Sequence, residues 1–186
     1  MGIIKFIIDF LLYFEKKEIM KKLLSILVVS VLLIGCSENR VLIDELTNKG
    51  TKESPLMYSE KGLFNGIGFD VYKDGQLKFE NNYTDGKKDG SFKEWYENGQ
   101  LNIEGNVKDG REDGLWKKWY ENGQLEGECN LKDGKKYGLY KEWYENGQLR
   151  YERNYKDGKE DGLWKKWYEN GQLEYEKNYK DGEIVN

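Results

Sequence analysis

Four glutamates recur every 24 residues along the chain, each with a lysine at a constant distance before it: Glu104, Glu128, Glu152 and Glu176, with Lys93, Lys117, Lys141 and Lys165. Carboxylates placed in pairs serve general acid–base catalysis. Catalytic groups, however, are usually unique and desolvated in a pocket, whereas these occur in four equal copies. We therefore predict a structural ladder of opposite charges, no catalytic residue and no enzymatic activity.

Metal and cofactor chemistry has little support in the composition. The chain has no His and only two Cys, which excludes His-dependent nucleophilic catalysis and metal sites rich in His or Cys. The loop of residues 85–89 has the Asp-Gly start of a calcium site, but two lysines interrupt it, and Tyr137 replaces its second acid in another copy. We interpret such loops as turns and predict no metal and no cofactor. The net charge of −4 argues against a nucleic-acid partner.

Four tryptophans share the 24-residue spacing and form the candidate interaction surface: Trp95, Trp119, Trp143 and Trp167. In a sheet of repeats, their rings would stand about 10 Å apart, which suits stacking on the sugar rings of a polymer. The alternative is that each ring packs on its neighbours in the sheet and covers backbone and lysine stems. We favour packing and keep the column as a candidate surface.

The elements that must position these residues are short repeats. The motif WYENGQL occurs at residues 95–101, 119–125, 143–149 and 167–173, and a divergent copy, VYKDGQL, at 71–77. Asn-Gly between alternating segments is a strong β-hairpin signal, and stacking of repeats supplies the stability that one hairpin lacks. The sequence thus predicts five hairpins, whose ten strands form one elongated, single-layer antiparallel β-sheet in an all-β protein.

The Asn-Gly pair at 98–99 predicts a two-residue type I′ turn, since both residue types accept positive φ. Such a turn would pair these residues across the hairpin: Tyr96 with Leu101, Trp95 with Asn102, and Lys93 with Glu104. Alternation then puts the tryptophans and the Lys/Glu pairs on one face, and the leucines of WYENGQL on the other. That other face also carries an aromatic column: Phe92, Trp116, Tyr140 and Trp164. The DGKxDG segments predict a longer second loop with two residues near positive φ.

The WYENGQL and NYKDGKxDG segments resemble MORN-type repeats, specifically the shorter variant found in bacterial proteins of the YwqK-type antitoxin family. The resemblance covers about residues 58–183. It implies a repeat array that mediates protein interaction or self-association, and it brings no catalytic residues. The array domain is accordingly predicted to span residues 58–186.

Residues 1–35 form a signal segment, for which we expect a signal helix before the sheet. From Met20, the chain has a basic pair, an apolar run too short to span a bilayer, and then Leu33-Ile34-Gly35-Cys36. This end resembles a bacterial lipobox, which implies lipid attachment at Cys36. A start at Met20 would give a normal signal sequence, in which case residues 1–19 are not translated. Residues 36–57 are interpreted as the lipidated Cys and a tether, in which residues 41–46 could form a short helix or strand.

These features predict a lipid-anchored scaffold of the cell envelope, held at the outer membrane if the cell has two membranes, since Ser37 permits that sorting by resemblance to known lipoproteins. Its partner would be another protein, or a second copy through the sheet edges, with the membrane reached through the lipid anchor. The family label implies an alternative, an antitoxin or immunity protein that neutralises a toxin. The tryptophan column leaves a third interpretation, a cell-wall glycan-binding module.

Overall fold

The computed structural model describes residues 39–51 and 55–185, and within them it is built almost entirely of β-strands. The predicted signal helix and Cys36 lie outside the described residues. The strands are β1 Arg40–Leu42, β2 Thr47–Asn48, β3 Met57–Ser59, β4 Gly62–Leu63, β5 Gly66–Val71, β6 Leu77–Thr84, β7 Lys87–Trp95, β8 Leu101–Lys108, β9 Arg111–Glu112, β10 Gly114–Trp119, β11 Leu125–Lys132, β12 Lys135–Trp143, β13 Leu149–Lys156, β14 Lys159–Trp167, β15 Leu173–Lys180 and β16 Glu183–Val185. One 3₁₀ helix spans Ile43–Glu45.

Thirteen strands form one sheet in which almost every strand pairs with its neighbour in sequence. From β5 to β16 all pairs are antiparallel, as expected for hairpins added one after another. The predicted all-β sheet of repeated hairpins is therefore confirmed. The exception is β1, which pairs in parallel with β5 and covers the N-terminal edge of the sheet.

The Asn-Gly turn differs from the predicted type I′ turn. The Gly99 N–H donates to the Tyr96 carbonyl at 2.9 Å, and the Tyr96 N–H donates to the Gln100 carbonyl at 2.9 Å, so the loop is longer than two residues. Gly99 has φ 82°, whereas Asn98 has no positive φ. The physical reason is the Asn98 side chain, whose Oδ1 accepts the Gln100 N–H at 2.9 Å and stabilises an Asx turn.

The type I′ geometry occurs instead at the Asp-Gly turn, where we expected a longer loop. Thr84 pairs with Lys87, which leaves Asp85 and Gly86 as a two-residue turn with φ of 49° and 74°. Positive φ at both central residues defines this turn type, and its twist matches that of the flanking strands. The same geometry recurs at Asp109, Asp133, Asp157 and Asp181.

The predicted Lys–Glu register is confirmed in all four hairpins, because Lys93 pairs with Glu104 and its three equivalents follow. Closer to the turn, the predicted pairs are wrong. A β-bulge between Glu94 and Trp95 makes Trp95 face Leu101, so that Asn102 is the extra residue. The leucines of the motif therefore share a face with the tryptophans, contrary to the prediction.

A small core lies at the N-terminal end, where Phe64 is fully buried and packs with Leu46 and Tyr83. Strands β2, β3 and β4 form a separate three-stranded sheet there. It is fixed to the first Asp-Gly turn, since the Met57 N–H donates to the Gly86 carbonyl at 2.7 Å. Residues 40–48 of the predicted tether therefore fold onto the first hairpin, and their 41–46 stretch includes both strand and 3₁₀ helix. We name residues 39–51 and 55–64 the N-terminal cap.

Candidate interaction surfaces

The tryptophan column lies on one sheet face and is half-buried in every repeat. Each ring stands opposite the leucine of its own hairpin, as Trp119 does opposite Leu125 and Trp143 does opposite Leu149. The column is thus an alternation of tryptophan and leucine across the sheet, with part of each ring accessible to solvent. This arrangement suits packing between strands and leaves an apolar strip on the surface.

The tyrosine at the second position of the motif joins one repeat to the next in every copy except the last. The Tyr96 hydroxyl donates to the Trp119 carbonyl at 2.8 Å, and the bonds that do the same in the other repeats are Tyr72 to Trp95, Tyr120 to Trp143 and Tyr144 to Trp167. Sequence reasoning missed this role, although the fixed position of the tyrosine in every copy was a usable signal. The tryptophan carbonyls are therefore structural hydrogen-bond acceptors.

The turns at both sides of the sheet also bond from one repeat to the next. The Asn98 amide donates to the Glu121 carbonyl at 3.0 Å, and Asn122 and Asn146 make the equivalent bonds. On the opposite side, the Gly110 N–H donates to the Lys88 carbonyl at 2.8 Å. Because every bond needs the adjacent repeat, the terminal repeats differ chemically from the inner ones.

Alternating charges cross the sheet on the tryptophan face. The column consists of Glu80, Lys93, Glu104, Lys117, Glu128, Lys141, Glu152, Lys165 and Glu176. Each inner glutamate stands between two lysines, since Glu152 pairs with Lys141 on one side and with Lys165 on the other. At the C-terminal end, Lys165 approaches Glu176 at 3.3 Å. The backbone register is that of the ladder predicted from the sequence, and it extends between hairpins as well as within them. Among the described residues, Lys165 with Glu176 is the one Lys–Glu pair of this column that forms an ion pair.

The opposite face carries the aromatic column and a second set of polar pairs. Phe92 and Trp116 stack with ring centroids 5.4 Å apart, and the Arg153 guanidinium lies 4.5 Å from the Trp164 ring centroid. The bulges turn one residue of each hairpin toward this face, where it meets a partner eight residues earlier. These pairs are Asp70 with Lys78, Glu94 with Asn102, Lys118 with Glu126, Glu142 with Arg150, and Lys166 with Glu174.

Electrostatics on this face stabilise the charge states of these pairs. The hydrogen bond to Glu126, at 2.9 Å, raises the pKa of the Lys118 ammonium. Burial and a 2.7 Å hydrogen bond to Glu142 raise the pKa of the Tyr140 hydroxyl, which keeps it a neutral donor. These groups therefore keep their ordinary charges at neutral pH, as expected of structural pairs.

One repeat has small residues where the others have large ones. Gly127 stands where equivalent repeats have Phe79, Ile103, Tyr151 and Tyr175. The space forms a shallow groove of about 240 Å³, lined by Trp116, Cys129, Leu131 and Tyr140 among others. Burial raises the pKa of the Cys129 thiol, which disfavours the reactive thiolate. At Gly105, by contrast, the space beside the glycine is filled. A Cβ at this position would lie 2.3 Å from an atom of the Trp116 ring.

The outer edge of β15 is only partly paired. β16 pairs with Asn178, Tyr179 and Lys180, whereas no described strand pairs with the outer side of residues 173–177. Leu173 is 51% exposed there, and the Tyr168 side chain beside it is 50% exposed. An unpaired edge presents backbone N–H and C=O groups to another strand.

Residues 39–51 and 55–185 lack two features that other kinds of site require. They include no group of His, Cys, Asp or Glu side chains placed to hold a metal ion. In that same part of the chain, no helix has the length and apolar character needed to cross a membrane.

Comparison with protein families identifies the repeats. The MORN repeat variant family matches residues 88–109, 112–133, 136–157 and 160–181. Each matched stretch begins shortly after one Asp-Gly turn and contains one hairpin. It ends at the Asp of the next Asp-Gly turn. No curated protein matches the chain. These four stretches are therefore similar to MORN repeats of the variant type, and the structure joins them into one sheet.

Proposed function

We propose that this chain is a lipid-anchored scaffold of the cell envelope, which uses its repeat sheet to bind another protein. The anchor would be the Cys36 thiol after removal of residues 1–35, and it would be placed at the outer membrane if the cell has two membranes. MORN repeats commonly serve as protein or membrane interaction modules, which supports the general role.

The observation that carries the proposal is the regular order of side chains on both faces of the sheet. One face carries the tryptophan–leucine column beside alternating charges, and the other carries aromatic rings beside ion pairs. Partly exposed aromatic rings with charged neighbours are typical of protein-binding surfaces. The acidic net charge of −4 favours a basic partner.

Capture with the tagged full chain in its own cells tests the proposal. We expect one protein to be recovered in constant ratio, together with acyl labelling of the wild type that is lost in Cys36→Ser. A toxin encoded beside the gene would make the role that of an immunity protein. The scaffold proposal fails if the chain is instead retained on peptidoglycan or polysaccharide and Trp119→Ala with Trp143→Ala abolishes that retention while the chain stays folded.

A further inference from the structure

Within the described residues, part of the last full strand, β15, has no neighbour on its outer side, whereas the equivalent part of the earlier strands has one. In β13, Tyr151, Glu152 and Arg153 pair on their outer side with Lys166, Lys165 and Trp164. The equivalent residues of β15 are Tyr175, Glu176 and Lys177, and no described residue pairs with them on that side. The vacant position therefore has a defined sequence pattern, which is that of the Trp164-Lys165-Lys166 segment.

The charge column also ends incomplete at this edge. Glu176 has one cation, Lys165 at 3.3 Å, and its side chain remains 46% exposed. Inner glutamates have a lysine on each side, as Glu152 does. A strand added outside β15 would place one residue directly opposite Glu176, and a cation there would continue the column.

The N-terminal end shows how a segment outside the repeats completes the same column. Glu80 pairs with Lys93 on its inner side and with Phe69 of β5 on its outer side. The Arg40 guanidinium, from strand β1 beyond β5, lies over the Phe69 ring and bonds to Glu80. Glu80 thus receives a second cation from outside the repeats, whereas no described residue beyond β15 supplies one to Glu176.

The Tyr168 hydroxyl, near the same edge, is a hydrogen-bond donor without a partner among the described residues. The inner tyrosines, such as Tyr144, donate to a backbone carbonyl of the following repeat. Tyr168 occupies the equivalent position in the last repeat, where its hydroxyl has no hydrogen-bond partner among the described residues and its side chain is 50% exposed. An added strand could supply the carbonyl that the Tyr168 hydroxyl lacks.

We propose that residues 173–177 bind an extended basic segment of a partner protein, which adds as a strand to the outer edge of β15. Its aromatic residue would stand opposite Lys177, with Lys or Arg opposite Glu176 and Tyr175, so the segment reads aromatic–cation–cation. Main-chain bonds supply the affinity and the cations set the register. This inference rests on the proposed function, since it names the class of partner. Among the described residues, a second copy offers no free basic strand of this pattern, because its two Trp-Lys-Lys segments are already paired on both sides.

A synthetic peptide with the sequence of residues 162–168, GLWKKWY, is the probe. Fluorescence anisotropy with the full chain in detergent should give saturable binding of one peptide per chain. The control peptide GLWEEWY should bind at least tenfold more weakly, because it puts acids opposite Glu176. Equal binding of the two peptides, or no binding of the first, would overturn the inference.

Backbone methylation of the peptide tests strand pairing directly. Alternate residues of a strand point their N–H groups to opposite edges, so one set faces β15 and the other faces solvent. Two peptides N-methylated on the alternate sets should therefore differ, with one losing binding and the other keeping it. If both bind alike, the peptide is held by a sheet face and the proposal is wrong.

A pair of protein variants with the same charge change completes the test. Glu176→Lys should weaken binding of GLWKKWY about tenfold, whereas Glu145→Lys, in an exposed turn, should leave it unchanged. The same variants separate this inference from the proposed function. If cells expressing Glu176→Lys still yield the protein partner in full, the scaffold role stands and the edge is not its binding site; if neither chain yields a partner, the scaffold role fails.

Discussion

At the N-terminal end of the sheet, β1 covers the edge strand, Phe64 is fully buried, and Arg40 supplies the outer cation for Glu80. At the C-terminal end, no described residue pairs with the outer edge of β15 over residues 173–177, and Lys165 is the one described cation that pairs with Glu176. Both ends terminate the same repeats, so the difference lies in the flanking segments: the N-terminal cap covers one end, and the short β16 covers only part of the other. Within the described residues, one end of the sheet is thus stabilised by burial, while part of the edge at the other end is unpaired.

Phe64→Ala should have the largest effect on stability. The ring is fully buried against Leu46 and Tyr83, and removal of a buried Phe side chain typically costs about 3–5 kcal/mol. Chemical denaturation measures the loss. The matched change at the open end, Leu173→Ala, removes a half-exposed side chain and should cost about 0.5 kcal/mol or less. Equal costs for the two variants would contradict the contrast between the ends.

Alkaline pH should weaken the capped end through Tyr83. Burial raises the pKa of its hydroxyl to about 12, from an ordinary value of 10.0. The folded chain therefore holds this proton while the unfolded chain releases it, and stability falls as the pH rises from about 10 to about 12, by up to roughly 2–3 kcal/mol. Unfolding followed against pH for the wild type and Tyr83→Phe isolates this component. If the free energy of unfolding of the wild type falls no more than that of Tyr83→Phe between about pH 10 and pH 12, the component assigned to Tyr83 is wrong.

The tyrosine bonds provide a smaller and more specific comparison. Tyr120→Phe removes the 2.8 Å bond to the Trp143 carbonyl and should destabilise the chain by about 1 kcal/mol. Tyr168→Phe removes a hydroxyl that has no partner among the described residues, and should leave stability unchanged within about 0.3 kcal/mol. Thermal unfolding of the wild type and both variants measures these two changes in stability. A loss at Tyr168 as large as that at Tyr120 would show that the last repeat is bonded onward.

The repeated sequence predicted the strands and the Lys–Glu register, because a period of 24 residues leaves few registers that place every lysine directly opposite a glutamate. It did not predict which Gly-containing turn has type I′ geometry. Both Asn-Gly and Asp-Gly suit that turn, and the choice depends on the Asn98 side chain, which bonds to the Gln100 N–H. The bulge beside that turn moved the leucines to the tryptophan face.

The candidate site was predictable only in part. The tryptophan spacing located the column, and the structure places all four rings half-buried beside the leucines. The N-terminal cap was not predicted, since its residues come from short segments without periodicity, and only their packing on Phe64 and Tyr83 gives them structure. The space over Gly127 likewise depends on rings that approach from neighbouring strands.

Amide hydrogen exchange of the full chain, resolved by NMR, tests the open C-terminal edge most directly. We predict slow exchange for the inner strands β6 to β13, and fast exchange for alternate amides of residues 173–177, those that point away from β14. Addition of GLWKKWY should slow those same amides and leave the other strands unchanged. Protection of both sets of amides in residues 173–177 without peptide, or no change on its addition, would contradict an open C-terminal edge.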